Sequence, residues 1–561
     1  MQIDLLVALF IAVTIIFYLL VLLSGRVGSG RDFYVNQGGI SPLARGMGLA
    51  ADWFCAATFL SLFGFMISSA QDAYWMMSGW LLGLIVLSIY VAPSVHRSRQ
   101  TCLVGFLSEI FPSKGLCYSL LLVISLLSVV LLSLQIKGVG LIFSRYLQVP
   151  VYTGMAIAVL LLFFYTALSS LKAITRVQML QLCIIFCSLA ISTLYIYQTQ
   201  HPEADRLFIQ GLLAELLSNR EEVEAEVFYT GQQMLEKIFM LLVLAAGVST
   251  LPYLLKRFLG AKMVTDIKYT AIWMLLAIGV IYGLLSWIAD KTEIQIEQTL
   301  VETLQDGDAY SRMPNWFFLW EYTDKVTLIE QRINHETSDM FSDDLFNDEL
   351  NGDVASLLDE MSVGEHRIEA SVSEFSIADD IKLLVMPELY DMPDWVVAFI
   401  TVGVIAALLS TASMLLIATI HSLVLQSGLQ AAIAHEKVVS SILALLMLAS
   451  SMLIASILTD SLIHWFNRVV LVCAATLFPA FILALLAKQL PAVAVTVGLW
   501  VGFISSSGYV YLYDYGNVQK VWPGTLPYLQ PVSMALFWML LNVITVLLIA
   551  WLTSWRRRAF P

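Results

Sequence analysis

Long apolar stretches separated by polar loops dominate this chain. Thirteen of them approach or exceed the ~20 residues a helix needs to cross a bilayer. They run roughly over 3–24, 46–70, 74–94, 118–146, 151–169, 177–199, 235–258, 267–289, 395–421, 438–459, 464–487, 490–511 and 531–553. The pattern predicts an all-α membrane protein with about 13 transmembrane helices. The opening run has no basic segment before it and no small-residue cleavage site after it, so it reads as a first span rather than a removable signal.

The loops between these stretches alternate in charge. One set holds Arg26, Arg31 and Arg45; His96, Arg97 and Arg99; Lys172 and Arg176; Lys256, Arg257, Lys262 and Lys268; Lys488; and Arg556, Arg557 and Arg558. The other set, at the start and at 200–234, 290–394 and 512–530, is acidic or neutral. Positive loops stay in the cytoplasm, which predicts an N-terminus outside and a C-terminus inside. Both long polar insertions then lie outside. Residues 290–394 carry 26 acidic and 6 basic residues, so the chain's net charge of −13 belongs to that segment and the remainder is net positive. Its apolar patches, WFFLW at 316–320 and IKLLVM at 381–386, are too many for pure disorder. A solvated acidic cover is the plain reading; gathering cations, or docking a separate signalling or accessory partner, is the sharper one.

The composition, 59% hydrophobic and 13% charged, fits this class. The six cysteines, Cys55, Cys102, Cys117, Cys183, Cys187 and Cys473, show no metal or disulfide spacing and read as small buried hydrophobes. No nucleotide loop, nucleophile–base arrangement or metal cluster points to an enzyme, and no organic cofactor is expected.

Two features of the spans are out of place. In AALLSTASMLLIA, 406–418, Ala407, Ser410 and Thr411 stand at i, i+3 and i+4 on one helix face. Such hydroxyls often only bond the preceding turn. They also suit sodium, a hard cation that accepts neutral oxygens, provided a second, broken helix supplies free carbonyls. The small-residue run GMGLAADWFCAATFLSLFGF, 46–65, is the candidate for that helix, and it carries Asp52 deep in an apolar span. An intramembrane carboxylate marks either function or a structural hydrogen bond.

At these residues the chain resembles the sodium/solute symporter family, most of all its acetate-permease-like branch, from about residue 30 to 490 apart from the insertions. The likeness lies in GLAADWFCAATFL with Asp52; SLQIKGVG at Gln135, Gly138 and Gly140; LSSLKAITRVQMLQ at Ala173, Thr175 and Gln178; TLPYLLKRFLGAK, 250–262; and 387–418. The resemblance implies a five-plus-five inverted-repeat, leucine-transporter-type fold. It divides the chain into an extra helix and loop at 1–43, a first repeat at 44–199, an extracytoplasmic loop at 200–234, second-repeat parts at 235–289 and 395–487 around the 290–394 insertion, and two further helices with a basic tail at 488–561.

The resemblance also implies co-transported Na+ held by the carbonyls of Ala50, Trp53 and Ala407 and the hydroxyls of Ser410 and Thr411. Asp52 is assigned an electrostatic or gating role and Tyr253 a gate. Substrate contacts are expected from Trp53, Gln135, Lys137, Thr250 and Tyr253. The chain departs from the family at Ser169-Ser170, where two glycines are usual, at Tyr253, a histidine in the motif, and at Lys137. A lysine there either snorkels to the interface or serves as counter-ion to an anionic substrate or to Asp52. The implied function is sodium-coupled symport of a small organic solute, most of all a monocarboxylate such as acetate or pyruvate, in a bacterial inner membrane. The alternatives are a transporter-like sensor or accessory subunit, and proton coupling through Asp52.

Overall fold

A computed structural model describes residues 40–167, 171–201, 231–304, 375–426, 436–515 and 531–559, together with 7, 11, 12, 15, 320 and 325–328. The expected first span at 3–24, the pair Ser169-Ser170 and most of the two insertions lie outside the described residues. Among the described residues, nine helices are long and apolar enough to cross a membrane, and two bent pairs raise this to eleven. The apolar helix at 151–167 is shorter still.

The helices follow in order. They begin with α1 (Pro42–Trp53), α2 (Ala56–Ser68), α3 (Ala70–Arg97), the short α4 (Leu103–Ile110), α5 (Lys114–Leu147), α6 (Val151–Ala167) and α7 (Leu171–Gln200). Next come α8 (Gly231–Ser249), α9 (Pro252–Phe258), α10 (Val264–Leu304), the short α11 (Lys382–Leu389), α12 (Asp394–Gln426), α13 (Glu436–Ile457) and α14 (Leu462–Leu486). Helices α15 (Ala492–Tyr515) and α16 (Pro531–Ala559) complete the bundle. A short two-stranded ladder interrupts the helices: β1 (Val326–Leu328) pairs antiparallel with β2 (Phe375–Ile377).

Two of the apolar stretches form helices broken mid-span. Helices α1 and α2 meet at 71°, α8 and α9 at 55°. Proline at position 252 starts α9, where its missing N–H costs nothing. Helix α12 is the centre of the bundle: its most apolar window is completely buried, whereas that of α16 is mostly exposed to the lipid position.

The expected insertion boundary shifts at both ends. Helix α10 does not stop near 289 but runs 41 residues to Leu304, about 60 Å at 1.5 Å per residue. Its final stretch, DKTEIQIEQTLVETL at 290–304, keeps good helix formers after the apolar run ends. At the other end, IKLLVM is no part of an acidic cover. Ile381, Leu383, Leu384, Val385 and Met386 are all buried in the body of the bundle.

Candidate functional site

The chain leaves α1 after Trp53. Phe54 and Cys55 are extended, and Ala56–Ser61 re-enters as a π-helical turn. An interrupted helix exposes backbone groups that must find partners inside the membrane. Thr58 supplies several: its hydroxyl accepts from Cys55 N at 3.1 Å and donates to the Trp53 carbonyl. Gln135 on α5 accepts from Ala56 N at 2.9 Å. The Ala50 carbonyl accepts from Phe54 N at 3.2 Å.

Helix α12 crosses this break. The Thr411 hydroxyl oxygen lies 2.9 Å from the carbonyl of Asp52, 3.1 Å from that of Phe54 and 3.4 Å from that of Ala407. A hydroxyl owns one proton, so three carbonyl oxygens around it exceed what it can satisfy. Ser410 Oγ lies 3.4 Å from a carboxylate oxygen of Asp52. The structure therefore brings together Asp52, Ala407, Ser410 and Thr411. The carbonyls facing Thr411 are those of Asp52 and Phe54, whereas those of Ala50 and Trp53 are engaged within the break itself.

Asp52 has a counter-ion, and it is Arg257. The two pair through Arg257 Nε, both side chains being fully buried. Gln178 on α7 joins them: it donates to Asp52 and to the Ser410 carbonyl (3.2 Å), and accepts from Arg257. Thr175, one turn earlier, accepts from Arg257 Nη1 at 3.1 Å. Gly48 gives the guanidinium room, since a Cβ there would stand 2.8 Å from Nη1.

Lys137 is not the counter-ion of Asp52, contrary to one of the two sequence-based alternatives. It is buried, and its ammonium donates to the carbonyl of Leu458, just past the end of α13. Nor does it snorkel to an open interface. A helix end presents unpaired carbonyls and negative dipole, and Lys137 caps that end.

The remaining expected contacts are buried around the two breaks. Trp53 Nε1 donates to the Tyr282 hydroxyl at 2.8 Å and its ring packs edge-on against Trp80 and Phe466. Thr250 Oγ1 turns back to the Gly247 carbonyl at 3.1 Å, inside the α8–α9 break. Tyr253 sits one turn before Arg257, on the same face of α9. Among the described residues no cluster of His, Cys, Asp or Glu has the makings of a metal site, and the cysteines are unpaired.

On the opposite end of the bundle, the segment before α11 crosses α2 and the start of α14. Lys382 donates to Asp379 at 2.8 Å and to the Gly64 carbonyl at 3.3 Å. Asp380 accepts from Leu462 N and from the Ser461 hydroxyl, both at 3.0 Å, and so caps α14. Farther along, Glu388 pairs with Arg145 at 3.0 Å and accepts from Trp320 Nε1 at 3.2 Å.

Sequence reasoning missed Arg257, Gln178 and Asp380. It counted Arg257 among cytoplasmic loop charges and within the 250–262 motif, without giving it a role at the site. The signal available was energetic: a carboxylate buried at Asp52 demands a cation, and Arg257 lies in a motif already singled out.

Residues 33–294 match the family model described as Sodium:solute symporter family. Over 224 residues the chain is 27% identical to an uncharacterised symporter of Cupriavidus necator, covering 39% of this chain and 33% of that one. Over 301 residues it is 22% identical to a monocarboxylic acid transporter of Corynebacterium glutamicum, covering 49% and 53%. The matched region thus spans a third to a half of these relatives' length. Among solved structures, a Na+-coupled sialic acid symporter in a substrate-bound outward-open state superimposes with a TM-score of 0.64 at 13% identity, covering 97% of this chain and 98% of that one. A nucleobase-cation-symport-1 family transporter in a closed conformation gives 0.51 at 12% identity, covering 95% and 97%. The fold is therefore that of these inverted-repeat symporters. Residues 33–294 of this multi-pass membrane chain thus match the sodium:solute symporter family model, and the relatives and solved structures it resembles are transporters.

Proposed function

We propose that this chain is a sodium-coupled symporter of a small organic solute, working by alternating access in a bacterial inner membrane. One observation carries the reading: three carbonyl oxygens converge on the Thr411 hydroxyl at the α1–α2 break, beside Ser410 and the Asp52 carboxylate. Oxygens in excess of protons, next to a negative charge, make a site for a hard cation. Sodium seats among Ser410, Thr411, the Ala407 carbonyl and the carbonyls of the break from Ala50 to Phe54. The Na+-coupled symporter with the same fold supports sodium as the ion.

The solute occupies the buried region between the two breaks, lined by Trp53, Gln135, Thr250 and Tyr253, with Tyr253 as a gate. A monocarboxylate such as acetate or pyruvate is the favoured class, on the strength of the relative named for such transport. Proton coupling through Asp52 is less favoured, because Arg257 holds that side chain as a carboxylate partner.

The test is uptake of radiolabelled acetate and pyruvate into proteoliposomes with and without an inward sodium gradient. Wild type is expected to accumulate one of them only with the gradient, and Ser410→Ala/Thr411→Ala to lose that uptake. Uptake indifferent to sodium would sink sodium coupling, and sodium-driven uptake surviving the double substitution would move the ion elsewhere. If neither acid is taken up while sodium still stabilises the purified chain against heat, the substrate class is wrong and the ion site stands.

A further inference from the structure

We propose that Arg257 is a tethered cation that competes with sodium for Asp52, so that ion occupancy and the closure of α1 against α9 oppose each other. The proposal deepens the sodium reading above and rests on it.

Asp52 is shared between two sites. Its backbone carbonyl faces Thr411 and one carboxylate oxygen faces Ser410. Its other carboxylate oxygen is bonded to Arg257 Nε, and Gln178 reaches across to both. Four elements meet in this knot: α1 through Asp52, α7 through Thr175 and Gln178, α9 through Arg257, and α12 through the Ser410 carbonyl and hydroxyl. All of these side chains are buried. A second cation beside Ser410 therefore arrives where one carboxylate is already compensated by a fixed guanidinium.

Two like charges sharing one carboxylate disfavour each other. Sodium draws Asp52 toward Ser410 and weakens its bond to Arg257. That bond is what ties the first half of one broken helix to the second half of the other. By reciprocity of linkage, whatever tightens the Asp52–Arg257 bond lowers sodium affinity by the same factor that sodium loosens it. The device suits an ion that must be held and then released. Arg257 is a positioning residue here, acting on sodium through its hold on Asp52 and through its fixed charge beside the site. Gly48 is part of the design, since the guanidinium reaches Asp52 across the space a side chain would fill.

The test is equilibrium binding of 22Na+ to the purified full chain, comparing wild type with Arg257→Gln, Arg257→Lys, Asp52→Asn and Asp52→Asn/Arg257→Gln. Ser410→Ala/Thr411→Ala is the control for the ion site. Arg257→Gln leaves Asp52 to sodium alone, so the half-saturating concentration is expected to fall about tenfold or more, within the usual range of coupling between sites. Arg257→Lys keeps the charge and is expected to stay near wild type. Asp52→Asn leaves the guanidinium to repel sodium, so binding weakens; removing Arg257 as well is expected to restore most of it.

That last pair of variants matters most, because Arg257→Gln strands a buried carboxylate and its folding is at risk, whereas the double variant has no buried charge to strand. A double variant no tighter than Asp52→Asn overturns the proposal, as does unchanged or weaker binding in Arg257→Gln. If wild-type binding survives in Ser410→Ala/Thr411→Ala, the sodium site itself is misplaced, and that failure is read separately from the ratio between the Asp52 variants. Absence of sodium binding in every variant overturns both.

Discussion

The two ends of the bundle are shut by different chemistry. At one end, α1, α7 and α9 close on a fully buried ion pair, Asp52 with Arg257, made by residues inside the apolar runs. At the other, the 379–389 segment closes over α2, α5 and α14 with pairs whose basic partners are buried and whose acidic partners keep a little access to water, Lys382 with Asp379 and Glu388 with Arg145. Buried pairs are costly to form and costlier to break singly, and the penalty eases as a partner gains access to water. The first closure is the latch and the second the lid.

Removing one partner of each pair should show the difference most sharply. Arg257→Ala is expected to destabilise the chain by about 3–5 kcal/mol, because Asp52 is left charged and buried. Lys382→Ala, at the lid, is expected to cost less, since Asp379 keeps the Ser68 hydroxyl and some access to water. Thermal unfolding of the two variants in the same detergent measures both. Equal losses would erase the distinction between latch and lid.

The lid has its own point of fit. A Cβ on Gly64 would stand 2.2 Å from the Asp379 carbonyl oxygen. Backbone meets backbone there, so no side chain can swing aside. Gly64→Ala is expected to push the lid off α2 at a cost of about 1–3 kcal/mol, and to slow uptake while sodium binding persists. A cysteine placed at Ser61, under the lid, should then react faster with a water-soluble maleimide than it does when residue 64 is glycine. Unchanged reactivity would mean that Gly64 matters for packing alone. Gly48→Ala acts on the latch instead, since its Cβ would stand 2.8 Å from Arg257 Nη1 and press on the Asp52–Arg257 pair.

The latch and the lid were not equally legible in the amino-acid sequence. Apolar length alone places α3, α5, α7, α12, α13, α14, α15 and α16, since no other structure satisfies a backbone in lipid. The i, i+3, i+4 spacing of Ala407, Ser410 and Thr411 is also local, and α12 presents those residues on one side of Asp52. What spacing does not carry is pairing across the fold. Arg257 stands 205 residues from Asp52, in a stretch whose basic residues serve equally well as orientation signals. The carbonyl set at the break depends on where α1 ends, and the small-residue run around Asp52 does not say whether Trp53 or Phe54 is the last helical residue. Asp380 was hidden by composition: in so acidic a stretch nothing marks one aspartate as the cap of a helix 82 residues away.

That cap yields a smaller effect, which sharpens the picture of the lid. Asp380 accepts from Leu462 N while Ser61 Oγ accepts from Ile463 N at 3.2 Å, so the first two amides of α14 are satisfied from outside the helix. Asp380→Ala is expected to cost about 1–2 kcal/mol, the ordinary loss of an N-cap. Asp380→Asn keeps an acceptor oxygen and should cost a few tenths of that. If the asparagine variant is as damaging as alanine, the charge rather than the hydrogen bond is what α14 requires.

The smallest effect is expected at Lys137, where the distinction between structural and functional charge is cleanest. Its ammonium lies on the Leu458 carbonyl at the end of α13, in neither the latch nor the lid. A cation at a helix C-terminus contributes about 1 kcal/mol or somewhat more when half-buried. Lys137→Met keeps the length and apolar stem of the side chain and removes only the charge. It should therefore lower thermal stability by about that amount and leave sodium-driven uptake intact. The opposite pattern, full stability with uptake lost, would make Lys137 an anion contact and bring α13 into the substrate path. Gln135, two residues earlier on α5, provides the control: it holds Ala56 N at the α1–α2 break, so Gln135→Leu should disturb uptake through the break while leaving the end of α13 untouched.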